Sequence, residues 1–236
     1  MEQYNLRANF YPINEPINGF IGTADLAISN IIRLKGIAVF EDKDGNGGHH
    51  IQFPGFGESD SFKSYVIPHS PEAFKQMLDV VEKAIAAEKH FSFVTGKRNA
   101  HLTVEGRAVD EPYADGRYSL QVGDICTIHG ITTNEITYTK DNKERTFTQV
   151  AVPNLPPYEK DGDTVYPPIF KALKSTWKDT DGKDHSMDYN QFIRHLVLTE
   201  REKVLGKEPL DQQVDAAGKK AQQGAEKKAP EKETQR

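Results

Sequence analysis

One pattern occurs twice along this chain. The first copy runs Ile32-Arg33-Leu34-Lys35-Gly36-Ile37, passes a polar turn and continues through Ile51-Gln52-Phe53-Pro54. A second turn leads to Val66-Ile67-Pro68 and a helical pattern. The second copy runs Cys126-Thr127-Ile128-His129-Gly130-Ile131, a turn, Gln149-Val150-Ala151-Val152-Pro153, another turn, and Val165-Tyr166-Pro167. The Gly-Ile pair recurs after 94 positions (37 to 131), and both proline landmarks recur after 99 (54 to 153 and 68 to 167). The difference of five places one longer hairpin in the second copy. Spacing held over several landmarks reads as a duplicated domain. The 236-residue chain is therefore expected to hold two domains of about 90–100 residues, each large enough to bury its own core.

Alternation of apolar and polar residues predicts the strands of each copy. Leu6, Ala8 and Phe10 alternate with Arg7 and Asn9, and Ala24, Leu26 and Ile28 continue the period of two beyond a turn rich in Pro, Asn and Gly. Ser29-Asn30 is a tight turn into the strand over 31–40. Links this short imply an antiparallel meander, since parallel pairs need a long crossover. Ser70-Pro71-Glu72 then opens a helix, with Ser70 as N-cap, Pro71 at N1 and Glu72 at the positive helix end. Phe74, Met77, Leu78, Val81 and Ile85 form its apolar face.

The second copy repeats the plan over 101–106, 118–122, 125–132, 136–138 and 145–152, with a hairpin turn at Lys140–Lys143. Helical spacing is then read over 169–178, where Lys171, Lys174 and Lys178 fall at i, i+3 and i+7 and form a basic stripe. A further amphipathic helix over 187–205 carries Ile193, Leu196 and Val197 and ends at Gly206, and is read as an addition relative to the first copy. Beyond about Leu210 the chain has scarcely an apolar residue, so disorder is expected. The division is 1–88 for the first domain, 89–98 for a linker, 99–206 for the second domain with its added helix, and 207–236 for the tail. The fold class is α+β, with an antiparallel sheet followed by a helix in each copy.

Composition narrows the chemistry. Charged residues make up 28% and the net charge is −5, so nothing draws the whole molecule to nucleic acid, and such binding must come from a local patch. A single cysteine, Cys126, excludes an intrachain disulfide framework and reads as a small buried hydrophobe. Asp42, Asp44, Asn46 and Gly47 imitate the first half of a calcium loop, but Phe53 stands where the bidentate Glu belongs, and Asp179-Thr180-Asp181-Gly182 has Asp184 at the glycine position. No metal and no cofactor is expected. The eight histidines are scattered, and no nucleophile–base pattern or phosphate loop stands out, so the chain is read as not an enzyme. No signal pattern and no apolar run of about 18 residues is seen, which makes a cytoplasmic protein the expectation.

Both copies resemble the SpoVG family, the small septation and sporulation regulators of bacteria. The matching landmarks are Gly36-Ile37, Gly47-Gly48, Ile51–Pro54 and Ile67-Pro68 in the first copy. In the second they are Gly130-Ile131, Val150–Pro153 and Tyr166-Pro167-Pro168-Ile169. The family's His before the proline is Ile67 in one copy and Tyr166 in the other, and the basic residues of its helix are represented by Lys75 alone in the first copy. The resemblance implies nucleic-acid binding and dimers paired through strands. A tandem chain can satisfy such edges internally, so an intramolecular pseudo-dimer is expected.

The leading functional expectation is thus a DNA- or RNA-binding regulator of the SpoVG type, linked to septation or sporulation control or carried on a mobile element. Its expected surface comprises Lys171, Lys174 and Lys178 with Arg194, Arg201 and Lys75, where cations would neutralise phosphates. Tyr158, Tyr166 and Trp177 are candidates for base stacking, against the plainer reading that they pack in the core or loops. The alternative is a protein-interaction module, a scaffold or inhibitor, suggested by the acidic balance, the added helix and the mixed-charge tail. Either reading leaves a monomeric pseudo-dimer or a homo-oligomer open.

Overall fold

The computed structural model describes residues 5–29, 31–42, 47–87, 102–172, 176–178, 184–186 and 189–206. The linker expected over 89–98, the tail over 207–236, Lys174 and most of the second calcium-like loop lie outside the described residues.

The first half opens with β1 (Leu6–Ile17), β2 (Phe20–Ile28) and β3 (Ile32–Glu41), an antiparallel meander joined by tight turns. Leu6, Ala8, Ala24, Leu26, Ile28, Ile32 and Leu34 are all buried, so the period of two in the sequence is the inward face of this sheet. β4 (His49–Gln52) returns along β3, and β5 (Gly55–Phe56) pairs with β6 (Lys63–Ser64) in the loop beyond it. β7 (Val66–Pro68) leads into helix α1 (Pro71–Ala86). The Ser70 side chain accepts a hydrogen bond from the Ala73 amide, which satisfies one of the amides left free in the first turn. Met77, Val80, Val81 and Ala84 are buried on the sheet.

The second half follows the same order with β8 (Val104–Tyr113), β9 (Gly116–Val122), β10 (Cys126–Lys140) and β11 (Lys143–Ala151). Asp141 and Asn142 at φ of +54° and +55° form the tight turn between β10 and β11. The hairpin of β12 (Tyr158–Lys160) and β13 (Asp163–Val165) precedes β14 (Phe170–Ala172). β15 (Thr176–Lys178) and β16 (Asp184–Ser186) form another hairpin before helix α2 (Tyr189–Val204). α2 ends at Gly206, whose φ of +64° and bond from its amide to the Lys203 carbonyl close the last turn.

The short strands cross over between the halves. β14 of the second half pairs with β3, setting Phe170 opposite Leu34, Lys171 opposite Arg33 and Ala172 opposite Ile32. β7 of the first half pairs with β10, setting Val66 opposite Ile128, Ile67 opposite Thr127 and Pro68 opposite Cys126. Each acceptor on β10 lies 94 positions after its counterpart on β3, so the exchange is reciprocal and in one register. The flanking main-chain bonds match as well. Tyr65 N–H donates to Pro54 O and Ile169 N–H to Pro153 O, while His129 N–H donates to Tyr65 O and Lys35 N–H to Ile169 O. The core runs without a break through residues of both halves.

Two expectations are corrected. The helix over 169–178 does not form, and this stretch supplies β14 and β15. Ile169 and Phe170 are fully buried because the open edge of β3 takes them up, and this pairing outweighs the helical spacing of the lysines. The structural counterpart of Val66–Pro68 is accordingly Phe170–Ala172, not Val165-Tyr166-Pro167. Nor is α2 an appendage: it packs on β8, β9, β11 and β14 as α1 packs on β1, β2, β4 and β7. The β15–β16 hairpin is what lengthens the second half between its exchanged strand and its helix. Among the described residues no helix is long and apolar enough to cross a membrane.

Candidate nucleic-acid interface

On the face of the first sheet turned away from α1, the strand registers align basic residues. Arg7 on β1 lies opposite Ala27 on β2, Ala27 opposite Arg33 on β3, and Arg33 opposite Lys171 on β14. Lys35 follows two residues along β3 on the same face. Strands about 4.8 Å apart make this a row roughly 14 Å long. Arg33 and Lys171 are like charges set directly opposite each other, an arrangement that destabilises a sheet unless an anion sits nearby. Among the described residues of these strands, register places one carboxylate on this face, Asp25 on β2. It accepts from the Gly36 amide and feels the charges of Lys35, Arg33 and Lys171. Burial nevertheless outweighs these attractions and pushes its carboxyl above the ordinary carboxylate value. The Nε of Arg7 is buried without a hydrogen-bond partner. Three cations, Lys35, Arg33 and Lys171, therefore act on one half-buried acid that is itself reluctant to ionise, and with Arg7 the row holds an excess of positive charge.

The corresponding face of the second sheet has a different character. Counterpart positions, by register, are Glu105 for Arg7, Ser119 for Asp25, Thr127 for Arg33, His129 for Lys35 and Ile67 for Lys171. Glu105 pairs with Arg107. Tyr113 packs against His129 with the rings tilted by 32° and 4.6 Å between centroids, meets Phe56 edge-on at 5.4 Å, and its hydroxyl donates to the Ser64 carbonyl at 2.6 Å. Burial, helped by nearby His69, holds the His129 imidazole below its ordinary value, so this face is aromatic around His129, and its charges are the balanced pair Glu105–Arg107.

The six residues expected as a binding surface do not form one group. Lys171 is exposed on β14 and joins Arg33 and Lys35 of the other half. Lys178 lies in β15, so the stripe at helical spacing does not exist. Arg194 is exposed on α2, and Lys75 is exposed on α1. Arg201 is spent on structure: it donates to Glu135 at 2.8 Å and to Thr148 at 3.3 Å, holding α2 to the β10–β11 hairpin. Of the aromatic candidates, Tyr158 and Tyr166 are exposed. Arg7, Arg33 and Lys35 were not singled out from the sequence. Their signal was the basic residue at every second position of a strand, Arg33 and Lys35 above all. That signal gains meaning only when pairing brings Arg7 and Lys171 alongside.

Asp42, first in the calcium-like pattern, hydrogen-bonds to His50 at 3.0 Å. Among the described residues no three His, Cys, Asp or Glu side chains gather in a way that would hold a metal. No protein-family model, characterised protein or solved structure matches this chain.

Proposed function

We propose that this chain is a nucleic-acid-binding regulator of the SpoVG type, built as an intramolecular pseudo-dimer of two diverged copies, and that its phosphate-binding surface is the row Arg7, Arg33, Lys35 and Lys171. The observation that carries the reading is the cross-strand pair of like charges, Arg33 opposite Lys171, beside a single half-buried acid. A sheet face of this kind gains when a polyanion supplies the missing negative charge. The reciprocal strand exchange supports the pseudo-dimer, since each half closes an edge of the other as two copies of one domain would. The aromatic face of the second sheet would contribute little phosphate binding, so the two halves take unequal parts.

The test is fluorescence anisotropy with labelled duplex DNA, single-stranded DNA and RNA at about 50 and 200 mM salt. The intact protein is expected to bind at least one of them with steep salt dependence. The Arg33→Ala/Lys35→Ala/Lys171→Ala variant is expected to bind weakly, with a salt slope lower by about three. Lys178→Ala serves as a control with little effect. No binding to any probe at micromolar protein would remove the reading. Wild-type affinity in the triple variant would remove the surface.

A further inference from the structure

We propose that the β10–β11 hairpin is an arm that enters the major groove of B-form duplex DNA through its face turned away from α2. This rests on the nucleic-acid reading above but on different residues. β10 pairs with β7 and β9 only as far as Ile131, whereas its pairing with β11 runs without a bulge from Thr132 opposite Ala151 to Lys140 opposite Lys143. Among the described residues the two strands pair beyond Ile131 only with each other, and the arm is a two-stranded ribbon with α2 against one face. The matching hairpin of the first half, β3 with β4, has four pairs against nine here, so the arm belongs to the second half alone.

The ribbon is held as a fixed shape. Its turn is tight, Thr137 and Thr146 hydrogen-bond across it at 3.0 Å, and Arg201 fastens its base through Glu135 and Thr148. Directly paired residues share a face, and alternate pairs face opposite ways. Glu135 and Glu144 thus fall on the α2 side with the threonines. The other face carries Tyr138, Phe147, Lys140, Lys143 and Arg145. Tyr138 and Phe147 are exposed, at 43% and 39%, and meet edge-on at 5.9 Å. One acid, Asp141 in the turn, stands 3.8 Å from Arg145.

The sorting of charge selects the occupant. Three cations at the outer end of the ribbon, with the strand acids turned to the other face, suit phosphates on the walls of a groove. Two aromatic rings midway suit base edges and thymine methyls. The B-form major groove is about 12 Å wide and admits a two-stranded ribbon, whereas the major groove of A-form RNA is too deep and narrow for side chains to read.

The test compares the full-length wild type with two arm variants, Lys140→Ser/Lys143→Ser/Arg145→Ser and Tyr138→Thr/Phe147→Thr, and with Arg33→Ala/Lys35→Ala on the sheet. Each is checked for unchanged circular dichroism and melting. Probes are a 20-bp DNA duplex, the RNA duplex of the same sequence and single-stranded DNA, with interference by guanine N7 methylation as the readout of the major groove. Expected are preference of the wild type for the DNA duplex, interference by N7 methylation, and a loss of about ten-fold or more in the charge variant. Interference should disappear in both arm variants and persist in the sheet variant, which loses affinity only. Arm variants that bind and interfere like wild type would overturn the arm and leave the sheet surface standing. Equal wild-type binding to all three probes without interference would do the same, as would a change confined to sedimentation, which would mark the ribbon as a contact between copies. No DNA binding by the wild type would overturn both.

Discussion

Asp25 concentrates the chemistry of the cationic row in one side chain. Its ordinary carboxyl value is 3.8, and the fold raises it because burial outweighs Lys35, the Gly36 amide, Arg33 and Lys171. Between 3.8 and the raised value the folded state holds a proton that the unfolded chain has released. Stability contributed by this group is therefore present at the acid end and falls as pH rises through that window. Once ionised, the carboxylate is a standing cost, and it competes with any phosphate for Lys35, Arg33 and Lys171. Asp25→Asn is expected to melt no lower than wild type at pH 7, with its advantage gone below about pH 3.8. It is also expected to bind nucleic acid more tightly, with a salt slope steeper by up to about one. Thermal melts between pH 3 and 7 and the anisotropy titration check both halves of the statement. Weaker binding by Asp25→Asn would mean that the carboxylate orients the cations and does not oppose the ligand.

At the scale of elements, Gly36 and Gly130 explain why a Gly-Ile pair recurs. Both sit where the β2–β3 and β9–β10 registers shift, with φ of +66° and +83°, a region that side chains other than glycine enter at a cost. Both also face a close neighbour from the other half. A Cβ on Gly36 would lie 2.5 Å from Leu155, and one on Gly130 would lie 2.7 Å from the Tyr65 ring. Gly36→Ala is expected to cost about 2–4 kcal/mol in urea unfolding, the sum of backbone strain and overpacking. Adding Leu155→Ala should recover the packing part and leave the strain, so the double variant should be less destabilised than the two single losses added. A neutral Gly36→Ala would show that the turn is not required. Such landmarks were legible in the sequence because they are local, as were the strand alternation of β1 to β3 and the Ser70 cap of α1. What escaped was set by distant pairing. Ile169-Phe170 looked helical beside three lysines at helical spacing, and nothing near them announces that the edge of β3 lies ready to receive them. The same error turned α2 into an addition, since the place of the helix was already filled, and it put the lysines on a surface of their own when Lys171 belongs with Arg33.

For the whole molecule, the exchange makes the two halves complementary in structure and unequal in charge. Each sheet is completed by a strand from the other half, and one core runs through both. Separate folding of a half would leave the Ile32–Leu34 edge or its 126–128 counterpart open, and Phe170, fully buried on that edge, would lose its place. Two fragments made by cutting at a protease site inserted between residues 88 and 101 should therefore stay together through gel filtration and elute as the intact chain does. The fragment 1–88 expressed alone has the same donor, Val66–Pro68, and the same acceptor, β3. It is expected to pair with a second copy of itself and run as a dimer. In that dimer Ile67 would lie where Lys171 completes the row, so each cationic face would keep Arg7, Arg33 and Lys35 and lose one charge. Its salt slope per face should fall by about one relative to the intact chain. Fragments that separate on the column as folded monomers would sink this account, because the main-chain pairing between halves would then be dispensable to both.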